Sequence, residues 1–478
     1  MINGRKTNWI EGKCGFRQGC PLSPYLFILY SQVVSDALNS RKGNVGISIS
    51  PKAPRVSHLL YADDILIFSE GKTKVIKELK SFINNYCLWS SQKVNNFKSM
   101  ILFGKYTNHR IKKKISTLLK CMVVKELNYL GVKMTLRRVV SSDFSKLMEV
   151  VANRLNIWGQ KFISLEGKVV LIKSAFLSLP MFLTSISLIP LSILKDFDKM
   201  CRCFLWKKKD GNAGIHYASS DSLCKTKEEG GRDLFSSVSR AGPLRAKLAW
   251  NFCMKPVTLL NQILRAKYGD DVQTTPMKRD CSPTWKIITM GAYYLRNIVR
   301  WDVSNGNSIN WMFDNWILDK CIARWPTFVN CLESNEFKLN SFILEGKWNT
   351  DQFQLIFGEQ LVKLITQNTI QVDRGYDLIE LNSKFSRKSI AALAFQAFTE
   401  HNGRSAIWNW MKKLKLRPKV ELFWWRLCND SIPSNDFLFR RKLSSLSGCP
   451  RGCEEDENGG HIAGNCAKLH VVISILNS

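Results

Sequence analysis

Two adjacent carboxylates, Asp63 and Asp64, stand between the apolar runs His58-Leu59-Leu60 and Ile65-Leu66-Ile67-Phe68, with Tyr61-Ala62 leading into them. Both flanks have strand composition, and Asp tolerates the left-handed backbone of a tight turn, so the segment predicts a β-hairpin with the acids at its tip. Carboxylates fixed side by side at a strand end suit Mg²⁺ or Mn²⁺, which take a few hard oxygens and leave other positions to water and phosphate. That is the chemistry of nucleotidyl transfer. A solvated surface turn is the alternative that four residues alone leave open.

A second element lies upstream. Arg17-Gln18-Gly19-Cys20-Pro21-Leu22-Ser23-Pro24 runs into the apolar segment Tyr25-Leu26-Phe27-Ile28-Leu29-Tyr30. Gly19 and Pro21 punctuate a loop, and Pro24 suits the first turn of a helix reaching about Leu38. Gln18 and the bare backbone of Gly19 then sit where a flat base or ribose can approach closely.

Together these segments resemble the palm of a reverse transcriptase, most closely that of plant LINE-type (non-LTR) retrotransposons. Further matches follow in order: Val94-Asn95-Asn96-Phe97-Lys98-Ser99 looks like the family's Asn-x-x-Lys-Ser motif, Tyr129-Leu130-Gly131-Val132 resembles its primer-contacting turn, and Ser164 to Ser174 resembles its thumb-region helix. The resemblance implies catalytic Mg²⁺ (or Mn²⁺) at Asp63 and Asp64. It implies nucleotide and template contacts at Gln18, Gly19, Pro21 and Lys98, and primer contacts at Tyr129, Leu130 and Gly131. Lys98 is a candidate proton donor or charge partner for departing pyrophosphate, and equally a plain surface lysine. Palms of this kind use a third metal-binding Asp on an earlier strand. The first Asp of this sequence is Asp36, inside the helix after the loop, and the only acid before Gln18 is Glu11. The expectation is an N-terminally truncated polymerase with little activity alone.

Lys and Arg number 70 against 39 Asp and Glu, a formal charge of +31, which favours a polyanionic partner, RNA or DNA. Fifteen Cys follow a polar N-terminus, so a reduced intracellular protein is expected, with Cys clusters read as metal sites; work on chromosomal DNA would require the nucleus. Ser174 to Leu194 carries no charge and has a membrane-spanning length of about twenty residues. Pro180 and Pro190 interrupt it, and buried helices with no membrane partner are the preferred reading.

The expected architecture is α+β: a partial reverse-transcriptase palm over 1–135, a helical thumb-like region over 141–210, a mixed connector over 215–400 and a small zinc-binding domain over 405–478. Lysines at the end of the thumb, Lys207-Lys208-Lys209, either grip phosphates or form a solvated face. Asp210 to Gly214 reads as a linker and Lys227 to Leu234 as a glycine hinge. Asn305-Gly306, between Trp301 and Trp316, predicts a hairpin turn, with its tryptophans packed in a small core rather than stacking bases.

Cys449, Cys453, His461 and Cys466 follow the order C-x3-C-x7-H-x4-C, with Gly448, Gly452, Gly459 and Gly460 around them, a Cys₃His set suited to structural Zn²⁺. Plant elements of the resembled family carry such a module after segments like Trp408-Asn409-Trp410 and Phe423-Trp424-Trp425-Arg426-Leu427; their first pair is commonly C-x2-C, one residue narrower than here. The leading reading is an RNA-directed DNA polymerase fragment. The alternative is a non-catalytic nucleic-acid-binding remnant, and a group II intron maturase is a third reading that the connector and Cys₃His set argue against.

Overall fold

The computed structural model describes residues 15–16, 19–40, 45–159, 163–208, 214–270, 272, 280–317, 321–324, 338–383, 386–399 and 406–477. Helices and short sheets mix in an α+β arrangement. The chain divides into two compact units, Met1–Val139 with Pro256–Asp270, and Val140–Lys255 with Asp271–Ser478.

In the first unit, helix α1 (Ser23–Ser40) begins one residue before Pro24, which is already in a helix-compatible position with no N–H to satisfy. Strands β1 (His58–Tyr61) and β2 (Asp64–Ile67) pair antiparallel, with Tyr61 opposite Asp64 and His58 opposite Ile67. Helix α2 (Thr73–Ser90) is amphipathic: Val75, Leu79, Phe82 and Tyr86 meet Val34 and Leu38 of α1, and Ile67 closes the cluster from β2. This core anchors the hairpin while its tip projects.

Strand β3 (Met100–Leu102), helix α3 (His109–Leu119) and strand β4 (Met122–Val124) form a small crossover unit, because adjacent parallel strands need a connection that returns the chain to the same end. Asn108 caps α3 through the N–H of Arg110 at 2.9 Å, and Lys80 Nζ donates to the Leu118 carbonyl at 2.7 Å, tying α2 to its end. Strands β5 (Glu126–Tyr129) and β6 (Val132–Thr135) make a second tight hairpin. Its two loop residues, Leu130 and Gly131, have φ of +50° and +78°, as a two-residue turn matched to strand twist demands.

The second unit begins with helices α4 (Ser145–Gly159), α5 (Leu165–Leu171), α6 (Met181–Ile186) and α7 (Leu191–Trp206). Pro180 and Pro190 stand at the N-caps of α6 and α7, so the uncharged run from Ser174 is cut into short packed pieces; among the described residues no helix is long and apolar enough to cross a membrane. Helices α8 (Ser220–Cys224), α9 (Ser237–Met254) and α11 (Pro283–Leu295) follow, while α10 (Leu259–Tyr268) belongs to the first unit. Gly291 of α11 lies against the α9 backbone: a Cβ there would sit 2.3 Å from the Arg245 carbonyl.

Asn305-Gly306 does not close a hairpin. Strand β7 (Val299–Asp302) instead pairs with a strand far along the chain, β10 (Leu378–Leu381). The reason is Asp377, whose carboxylate accepts the N–H groups of Ser304, Gly306 and Ser308 at 2.9, 2.9 and 3.0 Å and satisfies the turn that a neighbouring strand was expected to satisfy. The tryptophans do pack. Trp311 and Trp316 are buried with Phe342 and Phe353, beside the short hairpin β8 (Ile343–Leu344) and β9 (Lys347–Trp348) and helices α12 (Thr350–Gln354) and α13 (Glu359–Thr366).

After α14 (Ile390–Thr399) come α15 (Ala406–Lys413), α16 (Pro418–Cys428), α17 (Asn435–Arg440) and α18 (Ala467–Asn477). The glycine segment at 227–234 is their receptor rather than a hinge. Trp425 of α16 donates to the Gly230 carbonyl at 2.8 Å and enters the core built by Val151, Phe176, Phe197 and Phe204. Gly230 has φ +86° and lies under the Trp408 ring, where a Cβ would meet Nε1 at 2.3 Å. Arg232, 3% exposed, ion-pairs with both Glu166 of α5 and Glu421 of α16.

Candidate active site and metal centre

The two-residue loop closed by Tyr61 and Asp64 consists of Ala62 and Asp63. The left-handed residue is Ala62, φ +50°, not an aspartate. Ala62 takes the bend, and both aspartates remain exposed at the tip. Directly beneath, His58 is held on both ring nitrogens, by the hydroxyls of Ser57 at 2.8 Å and Ser35 of α1 at 2.9 Å, and burial lowers its pKa, favouring the neutral ring. Ser57 reaches Asn39 at 3.1 Å. These polar ties, which periodicity does not reveal, fix the hairpin stem to α1.

A cleft of about 880 Å³ opens beside the tip, lined by Gly19, Cys20, Pro21, Phe27, Gln32 and Ala62 among others. It brings the Gly19–Pro21 loop and the acidic hairpin to one concavity. Gly19 has φ +81° with open space around its α-carbon, so its backbone is free to meet a ligand closely. Gln18 lies outside the described residues.

Tyr129 stands beside this site. Its phenol is pushed up, first by burial and then by the negative charge of Asp64. The β5–β6 turn carrying Leu130 and Gly131 therefore belongs to the same neighbourhood as the acidic tip. Lys98 is placed differently, exposed in a turn that Asn95 organises by accepting from the N–H groups of Phe97 and Lys98 at 3.1 and 3.2 Å. These hydrogen bonds hold its backbone and do not tie it to the carboxylates. Among the described residues no third carboxylate joins Asp63 and Asp64 in a metal-sized cluster. The pair has the hard-oxygen chemistry that Mg²⁺ or Mn²⁺ requires.

Helix α3 adds charge nearby in sequence. Arg110, Lys113, Lys114 and Thr117 share its solvent face at helical spacing, with Lys120 at the C-cap, while Ile115 faces inward. Such a row matches phosphates along a backbone.

The described residues bring Cys449, Cys453, His461 and Cys466 together with all ligand atoms within 4.8 Å of one another. Cys449 and Cys453 Sγ lie 4.0 and 3.9 Å from Cys466 Sγ, and His461 Nε2 lies 3.1 Å from Cys453 Sγ. Three soft sulfurs and an imidazole nitrogen at tetrahedral separations fit a closed Zn²⁺ site. The extra residue between Cys449 and Cys453 is absorbed by Gly452, φ +77°, whose N–H returns to the Cys449 carbonyl at 3.2 Å. Glu455 accepts from His461 Nδ1 at 3.0 Å, which turns Nε2 toward the sulfurs. Burial raises the Cys449 thiol, but the Arg451 N–H and hydrogen bonds from Cys453, His461 and Cys466 outweigh it and bring it down to about 6. The Cys466 sulfur beside Arg451 holds the guanidinium pKa above its ordinary value. Glu455 and Arg451 were not singled out from the sequence; a carboxylate six residues before a candidate ligand is the one signal that pointed there.

Residues 1–134 match the model of the reverse transcriptase (RNA-dependent DNA polymerase) family, and residues 386–472 match that of zinc-binding in reverse transcriptase. The chain is 23% identical over 358 residues to a putative ribonuclease H protein of Arabidopsis thaliana, covering 71% of this chain and 57% of the relative. It is 45% identical over 67 residues to an uncharacterized mitochondrial protein of the same plant, covering 13% of this chain and 55% of that one. The chain thus spans little more than half the length of these relatives. It carries a reverse transcriptase domain and a reverse-transcriptase zinc-binding domain.

Proposed function

We propose that this chain is the palm, thumb and zinc-binding portion of a non-LTR retrotransposon reverse transcriptase, one that holds RNA and DNA but does not extend a primer by itself. The observation that carries the reading is the cleft shared by Gly19, Pro21 and Ala62, next to the exposed Asp63 and Asp64. The LINE-type assignment is supported by the order of the segments: Tyr61 to Asp64, then Asn95 to Ser99, then Tyr129 to Gly131, and last the Cys₃His set.

In this reading Asp63 and Asp64 hold Mg²⁺ or Mn²⁺, which supplies charge neutralisation for the primer 3′-oxygen and the leaving pyrophosphate. Gly19 and Pro21, with Gln18, shape the floor on which the nucleotide and template lie. Tyr129, Leu130 and Gly131 seat the primer end against the acidic tip, and Lys98 is the cation available to the pyrophosphate side. Among the described residues two carboxylates stand at the tip, and a metal held by two alone would place the reacting groups loosely, which is costly in rate. Zn²⁺ on Cys449, Cys453, His461 and Cys466 closes the terminal fold. Work on chromosomal DNA would require the nucleus.

The test is primer extension on an RNA template with purified chain and Mg²⁺ or Mn²⁺, beside Asp63→Ala/Asp64→Ala, together with salt-dependent RNA and DNA binding. Retained binding with no extension by either protein is expected. Extension by the parent that disappears in the double variant would show that another acid completes the site and would overturn the inactive reading.

A further inference from the structure

Helices α15 and α16 each bury one face and leave the other bare. On the inner side Met411 and Trp425 are buried, Trp408 and Leu422 pack on the same core, and Glu421 is engaged by Arg232 and Lys227. On the outer side Ile407, Trp410 and Leu414 recur at i, i+3 and i+7, each more than 40% exposed, and Val420, Phe423 and Trp424 recur at i, i+3 and i+4, likewise exposed. Each aromatic pair is split: Trp408 faces in and Trp410 out, Trp425 in and Trp424 out. Large rings left in water at helical spacing mark a surface made for contact.

The charges around them decide the partner. Lys413 at the end of α15, Lys415 and Arg417 in the connection, and Lys419 in the first turn of α16 are all exposed, with no acid among residues 413–420 and no ion pair to any of the four among the described residues. The nearby acids are already committed, Glu228 to Lys412 and Glu421 to Lys227 and Arg232. An apolar protein surface would cover these cations without compensation, at a cost. A single-stranded nucleic acid satisfies both halves of the pattern, its phosphates meeting the cations and its unpaired bases stacking on the rings.

We propose that the outer face of α15 and α16 is a stacking platform for single-stranded nucleic acid, with Trp410, Phe423 and Trp424 taking bases and Lys415, Arg417 and Lys419 taking phosphates. The platform rests on the reading of the chain as a nucleic-acid-binding polymerase portion and adds a site distinct from the Asp63–Asp64 cleft and from the Cys₃His ligands. Bases are read by their faces, so binding tolerates sequence and requires unpaired strands.

The experiment uses the full zinc-loaded chain and measures anisotropy of labelled oligouridylate and of a primer–template duplex, with tryptophan fluorescence recorded in parallel. Expected are quenching on oligouridylate binding, a loss of about tenfold or more in its affinity in Trp410→Leu/Trp424→Leu, and duplex binding kept. A second variant, Lys415→Gln/Arg417→Gln/Lys419→Gln, leaves the rings in place and is expected to reduce the salt slope for the single strand by about 2, roughly 0.7 for each phosphate no longer neutralised. Unchanged oligouridylate affinity and salt slope in both variants, with the parent binding normally, would overturn the platform and leave the polymerase reading standing. A parent that binds neither ligand would overturn both.

Discussion

The phenol of Tyr129 and the carboxylate of Asp64 lie within electrostatic reach of each other, although they belong to separate hairpins more than sixty residues apart in sequence. Each hairpin is closed by two residues, and each turn carries a left-handed residue, Ala62 in one and Leu130 and Gly131 in the other. The charge at the end of one hairpin is thus felt at the end of the other.

The proximity predicts a measurable coupling. Asp64→Asn removes the negative charge that opposes phenolate formation, so the Tyr129 phenol is expected to titrate at lower pH than in the parent, while the part of the shift due to burial remains. Spectrophotometric or NMR titration of parent and variant, with Tyr129→Phe identifying the signal, checks it. An unchanged Tyr129 titration would separate the two hairpins.

His58 gives the hairpin stem a pH response. Its folded pKa is lowered below an unfolded value of about 6.5, so over the window beneath that value the unfolded chain binds more protons. Its stabilising contribution is present in full above the unfolded pKa and is lost as pH falls through the window. Hydrogen exchange at β1 and α1 is expected to accelerate on acidification in that window, and His58→Gln is expected to flatten the response.

At the Cys₃His centre, purified chain is expected to carry one Zn²⁺, lost on Cys466→Ser and on chelation, with affinity falling as pH falls because thiols must shed protons to bind. Glu455→Gln frees the His461 ring to rotate. Loss of affinity by roughly tenfold is expected, near the low end of the usual range of about 10–100-fold, because the carboxylate is largely exposed. Competition with a chromophoric chelator reads both effects.

Arg232 stands between two glutamates and is nearly fully buried. Arg232→Ala leaves Glu166 without its cation and Glu421 with Lys227 alone, and a loss of about 3 kcal/mol in the second unit is expected. Arg232→Ala combined with Glu166→Gln and Glu421→Gln should recover a good part of it. Urea unfolding of the single and triple variants tests the account.

Along α3, Lys113→Gln/Lys114→Gln is expected to weaken duplex binding nearly uniformly across sequences and to lower the salt slope by roughly 0.9 for each phosphate left without its lysine. A filter-binding or anisotropy series in salt gives the slope directly.

Local order was readable wherever neighbours in sequence are neighbours in space. The α1 start at Ser23-Pro24, the hairpin at Tyr61 to Asp64 and the Cys449 to Cys466 spacing all depend on short-range geometry, and the chain states that geometry in its Gly, Pro, Asp and Cys, whereas the turn at Tyr129 to Gly131 was marked by resemblance alone. What was hidden depends on partners far along the chain. Asn305-Gly306 has the composition of a hairpin, yet Asp377, some seventy residues later, collects its N–H groups. Lys227 to Leu234 has the composition of a hinge, yet Gly230 and Arg232 are pinned by Trp408, Trp425 and Glu421 from the distant zinc-associated helices. Likewise His58 reads as part of a strand, and only Ser35 on α1 shows why an imidazole occupies that place.

Trp425 reaches from the zinc-associated region into the core formed by α4, α5 and α7, beneath a glycine loop shaped to admit it. Helices α4, α5 and α7 therefore share one core with α16. A gene shortened ahead of α16 would lose more than its terminal cysteines, since the helices before residue 206 would be left with an open seam where the indole had been. Selection on either part is selection on both, and descent should keep or discard them together.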